Sequence, residues 1–569
     1  MNNLRRAVKL AGAATVLGVS AASGTVLLDA AHVLDLTDKP AIRAVRTGIT
    51  TVSIICDYKF SLYGKVTDSP EYVAAKSQAH TRAARKLLAL CWRNRGTYVK
   101  VGQHLGGMDY LLPAEFTKVL KVLHSDAPQS TLDEIHGVLK KDLNIENVDE
   151  VFTDFCEKPL GTASLAQVYK AKLKSNGSTV AVKVQHPTVQ DLADKDMDMM
   201  DYAATWVKKL FPEFDLMWLV EETRKNLPLE LDFLVEARNC SKATKNLKCF
   251  DWVKLPKLHW DYCTKRVMVM EFLEGGQVNN SNYLEGNKID FNHVSRLLGK
   301  LFSEMIFVHG FVHCDPHPGN ILVRWSNDET SNSIFKRCAK LLGFCSPKLE
   351  IVLLDHGLYR QLSKNFRFHY ASLWQAIINT DMAGIETHAR ACGSGDMYPL
   401  LATIVTGRSW QVVGNDGIKN VDFTFEEDND IRGAVGHYLP HISNVLGNVS
   451  SEMLLVLKTN DHLRGLEYTY GVRGHASGFL DMSKCCLRAL RELQHERIDT
   501  RFSATTKWLK SMQNNVNINL SLLKIFAYEW YLWVLEVTGY QKHITKSSYG
   551  AKKTKKKAAT SAAFVLQAT

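Results

Sequence analysis

With 569 residues, 46% of them hydrophobic, the chain exceeds what one hydrophobic core accommodates, which predicts two or three domains or one large bilobal unit with extensions. A net charge of +11 and a pI near 8.9 point to an acidic partner such as phosphate or anionic lipid, and the lack of any RRM, zinc-finger or helix-turn-helix signature argues against nucleic acid. Twelve cysteines without a Cys-x-x-Cys pair exclude a zinc ribbon or a disulfide framework and predict mostly buried, reduced thiols.

The amino terminus carries Arg5, Arg6 and Lys9 ahead of its first acid, Asp29, and runs small and apolar from Leu10 to Leu28. That pattern predicts a mitochondrial targeting segment, with a secretory signal or a weak membrane span as alternatives. Residues 1–70 read as leader and connector. From Glu71 to Asp109 no acid intervenes, while Lys76, Arg82, Arg85, Lys86, Arg93, Arg95 and Lys100 interleave with Leu87, Leu88, Leu90 and Cys91. The spacing predicts a basic amphipathic helix whose charged face meets either water or a lipid surface, opening a helical extension over 71–147.

Over 148–275 the pattern changes to strands. Ser164–Tyr169 and Thr179–Gln185 read as buried strands joined by a turn at Ser175-Asn-Gly-Ser, with helical pattern through 192–246 and another strand over Arg266–Phe272. Residues 276–480 start with an apolar-periodic helix at 291–310 and, after Arg360, are mainly helical to about 545. Residues 325–350 read as a polar insertion. In the last region, 481–569, the stretch 522–540 is apolar, but Lys524, Glu529 and Glu536 argue against a membrane span, and Lys552–Lys557 is a solvated basic run.

Within this frame five short motifs carry chemistry. Gly161-Thr-Ala163-Ser164-Leu-Ala166-Gln-Val168 follows the G-x-G-x-x-G-x-V phosphate loop with alanines at the second and third glycine positions. Val180-Ala-Val-Lys183 matches the strand whose lysine reaches phosphates, and Glu236, on a predicted helix shared with Glu230 and Asp232, is its expected carboxylate partner. His313-Cys-Asp315-Pro-His317-Pro-Gly-Asn320 has His, Asp and Asn at the offsets of H-R-D-x-x-x-x-N. Asp315 is the expected proton acceptor, Asn320 an expected Mg²⁺ ligand, and His317 sits where a basic residue often touches the γ-phosphate. A metal triad of His313, Asp315 and His317 is the alternative for that loop. Finally, the apolar strand Ile351–Leu354 ends in Asp355-His-Gly357, the D-F-G position, with Asp355 as a second Mg²⁺ ligand.

Together with Lys100-Val-Gly102-Gln103 and Glu230-Leu-Asp232, these motifs resemble the UbiB, or aarF-domain, family of atypical kinases, over roughly residues 70–480. The resemblance implies an α+β, bilobal, protein-kinase-like fold of atypical kind, with kinase-like lobes at 148–275 and 276–480, an amino-terminal helical extension and a helical carboxy-terminal region. It implies ATP and Mg²⁺ as cofactors, with Gly161, Ala163, Ser164, Lys183, Glu271 and Leu273 as nucleotide contacts. It also implies that the K-x-G-Q helix covers the place of a protein substrate and brings Lys100 near Glu230 and Asp232, giving Lys100, Gly102, Gln103, Glu230 and Asp232 a regulatory role. The expected function is an ATPase or kinase supporting lipid or quinone homeostasis at the mitochondrial inner membrane, with a cardiolipin-like anionic lipid and inner-membrane proteins as partners. An ATP-binding scaffold without turnover is the alternative, and a conventional Ser/Thr protein kinase ranks below both.

Overall fold

A computed structural model describes residues 39–67, 69–107, 112–124, 128–210, 217–326, 348–406, 450–470 and 476–497, together with single positions at 410, 512, 516, 519, 523, 527 and 530. The leader, the insertion after Ser326 and the basic tail therefore lie outside the described residues, apart from a few flanking positions. The chain divides into two compact units. The first takes the described parts of Met1–Cys249, Leu255–Glu274 and Leu354–Gly357, and the second takes Phe250–Lys254, Gly275–Leu353 and the described residues from Leu358 onward.

The first unit begins with helices α1 (Pro40–Leu62), α2 (Pro70–Asn94), α3 (Thr97–Gly106), α4 (Ala114–Leu120) and α5 (Leu132–Leu143). Ser69 caps α2 by accepting from the Tyr72 N–H, with Pro70 in the first turn, where a missing donor costs nothing. Thr131 and Glu134 form a capping box at the start of α5. The basic stretch predicted as one helix is two. Arg95 and Gly96 take φ of 55° and 49°, which ends α2 and redirects the chain into α3. Asp196 anchors this bundle. It forms a buried ion pair with Arg43 of α1, and both side chains are 4% exposed.

A five-stranded antiparallel sheet follows: β1 (Phe152–Thr153), β2 (Gly161–Thr162), β3 (Ala166–Leu173), β4 (Thr179–Gln185) and β5 (Val267–Glu271), in the order β1-β3-β4-β5 with β2 paired to β3. The β3–β4 turn falls at the predicted Ser175–Ser178, where Gly177 has φ of 68°, a conformation glycine adopts without strain. Val180, Val182 and Val184 are fully buried in the core with Ile135, Leu139, Phe152 and Tyr169, each valine worth about 1.5–3 kcal/mol before entropy is counted. Lys183 occupies the opposite face of β4, by the two-residue period of a strand.

Helices α6 (Val189–Leu210), α7 (Met217–Glu230) and α8 (Phe233–Asn246) complete the first unit. The sequence reading put Glu230, Asp232 and Glu236 on one helix. The structure corrects this. Glu230 ends α7, and Asp232 takes an extended backbone (φ −106°, ψ 95°) and caps α8 by accepting from the Leu234 N–H. An N-cap cannot itself be helical, so the Glu-Leu-Asp motif is a junction between helices.

In the second unit, β6 (Gly276–Gln277), β8 (Ile321–Trp325) and β9 (Leu349–Leu353) form a sheet with the short strand Val253–Lys254, and β7 (Phe311–His313) pairs with β10 (Tyr359–Gln361). Around them run α9 (Ser281–Gly286), α10 (Phe291–Ser303), α11 (Lys364–Asn379), α12 (Met382–Ala389), α13 (Tyr398–Thr406), α14 (Ser451–Tyr470) and α15 (Ala476–Arg497). The helix predicted for 291–310 stays α-helical to Ser303. It then widens into a π turn over Glu304–His309 that Gly310 ends with φ of 60°. The core of this unit packs Tyr370, Trp374 and Ile377 of α11 against Cys486 and Leu490 of α15. Among the described residues no disulfide forms, and no helix is long and apolar enough to cross a membrane.

Candidate functional site

The lysine expected from the sequence to reach phosphates finds its partners inside the first unit. Lys183 Nζ donates to both carboxylate oxygens of Glu236, at 2.7 and 2.8 Å, and stands 3.6 Å from Asp355 Oδ2. The three side chains come from β4, from the first turn of α8 and from the segment Leu354–Gly357 that follows β9. Glu236 is 3% exposed, Lys183 12% and Asp355 40%, so the cluster is closed behind the lysine and open at the aspartate. The Phe233 ring lies 5.1 Å below the ammonium and adds a cation–π contact.

Burial opposes the charge on Lys183, but Asp355 and Glu236 outweigh it and hold the ammonium above the usual lysine range. Burial pushes the Glu236 carboxyl up, Lys183 pulls it down, and Asp355 raises it again. With all three ionised the cluster sums to +1 − 1 − 1, one net negative charge, which suits a cation beside Asp355. The second half of Asp355-His-Gly serves geometry. Gly357 N–H donates to Asp355 Oδ1 at 2.8 Å, and a Cβ at Gly357 would come within 3.2 Å of that oxygen. Buried His356 is tied through its backbone. Its N–H points to Glu236 Oε1 and its carbonyl accepts from Asn239 Nδ2.

The loop ahead of β3 turns tightly. Ala163 N–H donates to the Ala166 carbonyl at 2.8 Å, Ser164 is buried, and Gly161 is open, with nothing within 4 Å of where a Cβ would stand. At the end of β5, Glu271 Oε2 accepts from the Lys257 N–H and Leu273 is buried.

The K-x-G-Q motif lies on α3. Lys100 Nζ forms an ion pair with Glu230 Oε2 at 2.5 Å, Gln103 Nε2 donates to the Leu123 carbonyl, and Gly102 packs where a Cβ would clash with the Leu123 and Cys91 side chains. Asp232 caps α8 by accepting from the Leu234 N–H. Gln185, two residues beyond Lys183, donates to the Leu231 carbonyl at 2.6 Å and so fixes the middle residue of the Glu-Leu-Asp junction from the strand.

In the second unit, Asp315 and Asn320 occupy one compact loop. Asn320 Nδ2 donates to the Asp315 carbonyl, Asp315 N–H donates to His313 Nδ1, and His317 Nδ1 accepts from the Gly319 N–H. His313 is thus a backbone prop, and among the described residues no group of three His, Cys, Asp or Glu side chains has the arrangement to hold a metal ion, which removes the triad of His313, Asp315 and His317. Sequence reasoning missed the groups facing the Asp315 carboxylate: Lys458 Nζ at 3.6 Å and His462 Nε2 at 4.0 Å, both from α14. Their i, i+4 spacing put them on one helix face, but nothing in the sequence said what that face meets.

Residues 122–389 match the family model described as the ABC1 atypical kinase-like domain, which sets the class of the protein. Over 538 residues the chain is 48% identical to AarF domain-containing protein kinase 1 of Mus musculus, covering 94% of this chain and 98% of the mouse protein. It is 44% identical over 497 residues to AarF domain-containing kinase 1 of Drosophila melanogaster, covering 87% and 91% of the two chains. The chain belongs to the ABC1/AarF family of atypical kinases, as its motifs indicate, and its fold is the α+β, kinase-like one. A solved structure of Rv3197 with erythromycin, from Mycobacterium tuberculosis, aligns at 19% identity with a TM-score of 0.41, over 70% of this chain and 95% of that one, below the level at which a shared fold follows.

Proposed function

We propose that the chain binds Mg-ATP and acts as an ATP-dependent phosphotransferase or ATPase. The observation that carries the reading is the Lys183 ammonium, charged and gripped by both Glu236 oxygens while Asp355 stands beside it. A lysine so fixed presents a point charge to nucleotide phosphates with little conformational freedom left to lose on binding. The loop of Gly161, Ala163 and Ser164 is the assigned phosphate cradle, and Glu271 and Leu273 are the assigned contacts to the rest of the nucleotide. Asp355 and Asn320, both hard oxygen donors, suit Mg²⁺, and the net negative charge around Asp355 fits a divalent cation. When bound, the metal neutralises phosphate charge. Asp315 is assigned as the group that accepts the proton of the attacking hydroxyl or water, with the Lys458 ammonium 3.6 Å from its carboxylate.

The setting proposed is the mitochondrial inner membrane, in support of lipid or quinone homeostasis, with a cardiolipin-like anionic lipid as partner. The family, the basic charge of the chain and the acid-poor leader support it. The basic face of α2 is the assigned lipid-facing element. A second reading, an ATP-binding scaffold without turnover, is favoured by the Lys100–Glu230 ion pair, which ties the K-x-G-Q helix to the Glu-Leu-Asp junction.

Thermal shift and phosphate release of the full-length protein test both readings, with and without cardiolipin vesicles. A Mg-ATP-dependent shift lost in Lys183→Ala and Asp355→Asn is the expected result, and no shift in the wild type overturns nucleotide binding. A shift without phosphate release, with Asp355→Asn rescuing mitochondria, decides for the scaffold.

A further inference from the structure

His186 follows β4 directly and belongs to none of the motifs that define the site. Its imidazole nevertheless holds two separate parts of the first unit together. Nε2 lies 3.1 Å from the Ala163 carbonyl, and Nδ1 lies 2.8 Å from Ser130 Oγ. Its backbone N–H donates to the Leu165 carbonyl at 3.0 Å, so main chain and side chain both grip the turn between β2 and β3. Ser130 is fixed in turn. Its N–H donates to Oε1 of Gln167, a fully buried side chain on β3, and the next residue, Thr131, caps α5.

The proton arrangement follows from chemistry. A backbone carbonyl only accepts, so Nε2 carries the hydrogen. Burial keeps the ring below the usual histidine range and therefore neutral, with the Ala163 carbonyl and Glu134 acting the other way and Arg95 reinforcing the effect. A neutral ring has one N–H, so Nδ1 accepts and the Ser130 hydroxyl donates. One tautomer satisfies both contacts, and the chain runs Ser130 Oγ–H to Nδ1, then Nε2–H to the Ala163 carbonyl.

We propose that His186 is the positioning residue of the 161–166 loop: it pins the alanine at the second glycine position from the side of the helical extension and so sets the loop's grip on nucleotide phosphate. The inference rests on the nucleotide reading above. Its physical content is that a loop with alanine in place of glycine has lost backbone freedom and close approach, and depends on being held in one conformation to present its N–H groups. Ala163 N–H already closes the turn on the Ala166 carbonyl. The peptide carbonyl of Ala163 is the remaining handle, and His186 holds it.

The test uses the full-length protein, with Mg-ATP affinity measured by calorimetry and amide hydrogen exchange over 161–168 measured without nucleotide. His186→Phe keeps a ring but has no polar atoms. It is expected to weaken Mg-ATP binding about tenfold and to speed exchange in the loop. His186→Gln places an amide N–H near the Nε2 position and is expected to recover most of both, which loss of bulk packing alone would not explain. Ser130→Ala, which removes only the outer arm, is expected to weaken binding about threefold and serves if His186→Phe does not fold. Wild-type affinity and exchange in His186→Phe, or a His186→Gln protein as impaired as His186→Phe, overturns the proposal. If the wild type binds no Mg-ATP, the nucleotide reading fails with the affinity role, and the exchange data then decide whether His186 holds the loop at all.

Discussion

In the first unit Lys183 is 12% exposed and bonds both oxygens of Glu236 at 2.7 and 2.8 Å, whereas in the second unit Asp315 is 37% exposed and its neighbours Lys458 and His462 stand at 3.6 and 4.0 Å. Tight bonds in a desolvated place fix a charge that must stay put. Loose ones near water leave a carboxylate able to take up and release a proton. The contrast matches the roles proposed for them, a fixed phosphate anchor and an exchanging base. It also separates what each costs to disturb. Removing a buried partner strands a charge, while removing an exposed one mostly alters chemistry.

The sharpest way to break the comparison is Glu236→Ala. It leaves the Lys183 ammonium with Asp355 alone in a buried place and is expected to destabilise the first unit by about 3 kcal/mol, near the lower end for a broken buried pair, because Asp355 remains. Denaturant unfolding measures it, and a loss below about 1 kcal/mol, the scale of exposed ion pairs, means that the pair is not desolvated as described. At the exposed end, Asp315→Asn is expected to lower phosphate release by at least about 100-fold and leave the Mg-ATP thermal shift unchanged. A parallel loss of the shift makes Asp315 a binding residue instead. Gly102→Val comes next, at a buried position of α3. Its side chain would press on Leu123 and Cys91, and an expected cost of about 1–3 kcal/mol is readable as a lower Cm in urea.

The smallest expected effect depends on pH. Asp57 of α1 accepts bidentate bonds from Arg82 of α2, and that bond, with Lys86 also contributing, holds its carboxyl down at about 2 against the opposing effect of burial. A depressed carboxyl stabilises the fold above the ordinary aspartate value of about 4 and loses that contribution as the pH falls towards about 2. The pair is partly exposed, so less than roughly 1 kcal/mol is at stake. Asp57→Asn is expected to flatten the stability profile of the wild type between those pH values and leave it unchanged in shape above pH 5.

Local chemistry was legible throughout. The strand around Lys183 announces itself by valines alternating with its polar face, the turn at Ser175–Ser178 by its Asn-Gly, and the Asp355 position by an apolar run ending in Asp-His-Gly. Each depends on a period or a dihedral preference that a few neighbouring residues set by themselves. Less legible were breaks within a continuous pattern. The basic stretch 71–106 keeps its helical spacing through Arg95 and Gly96, and only the positive φ values there reveal two helices. Likewise Asp232 sits in a run whose composition suits a helix, yet it takes the extended cap.

The amino-acid order by itself determined the class of protein, the strand and loop that carry the lysine, and the acids available to it, because these follow from side-chain type at short spacing. Tertiary structure alone decided which groups meet. Glu236 lies 53 residues from Lys183, Ser130 lies 56 from His186, and Lys458 reaches Asp315 from a helix far along the chain. Such contacts depend on how helices and strands pack, and packing is set by the summed burial of many residues rather than by any motif at the point of contact.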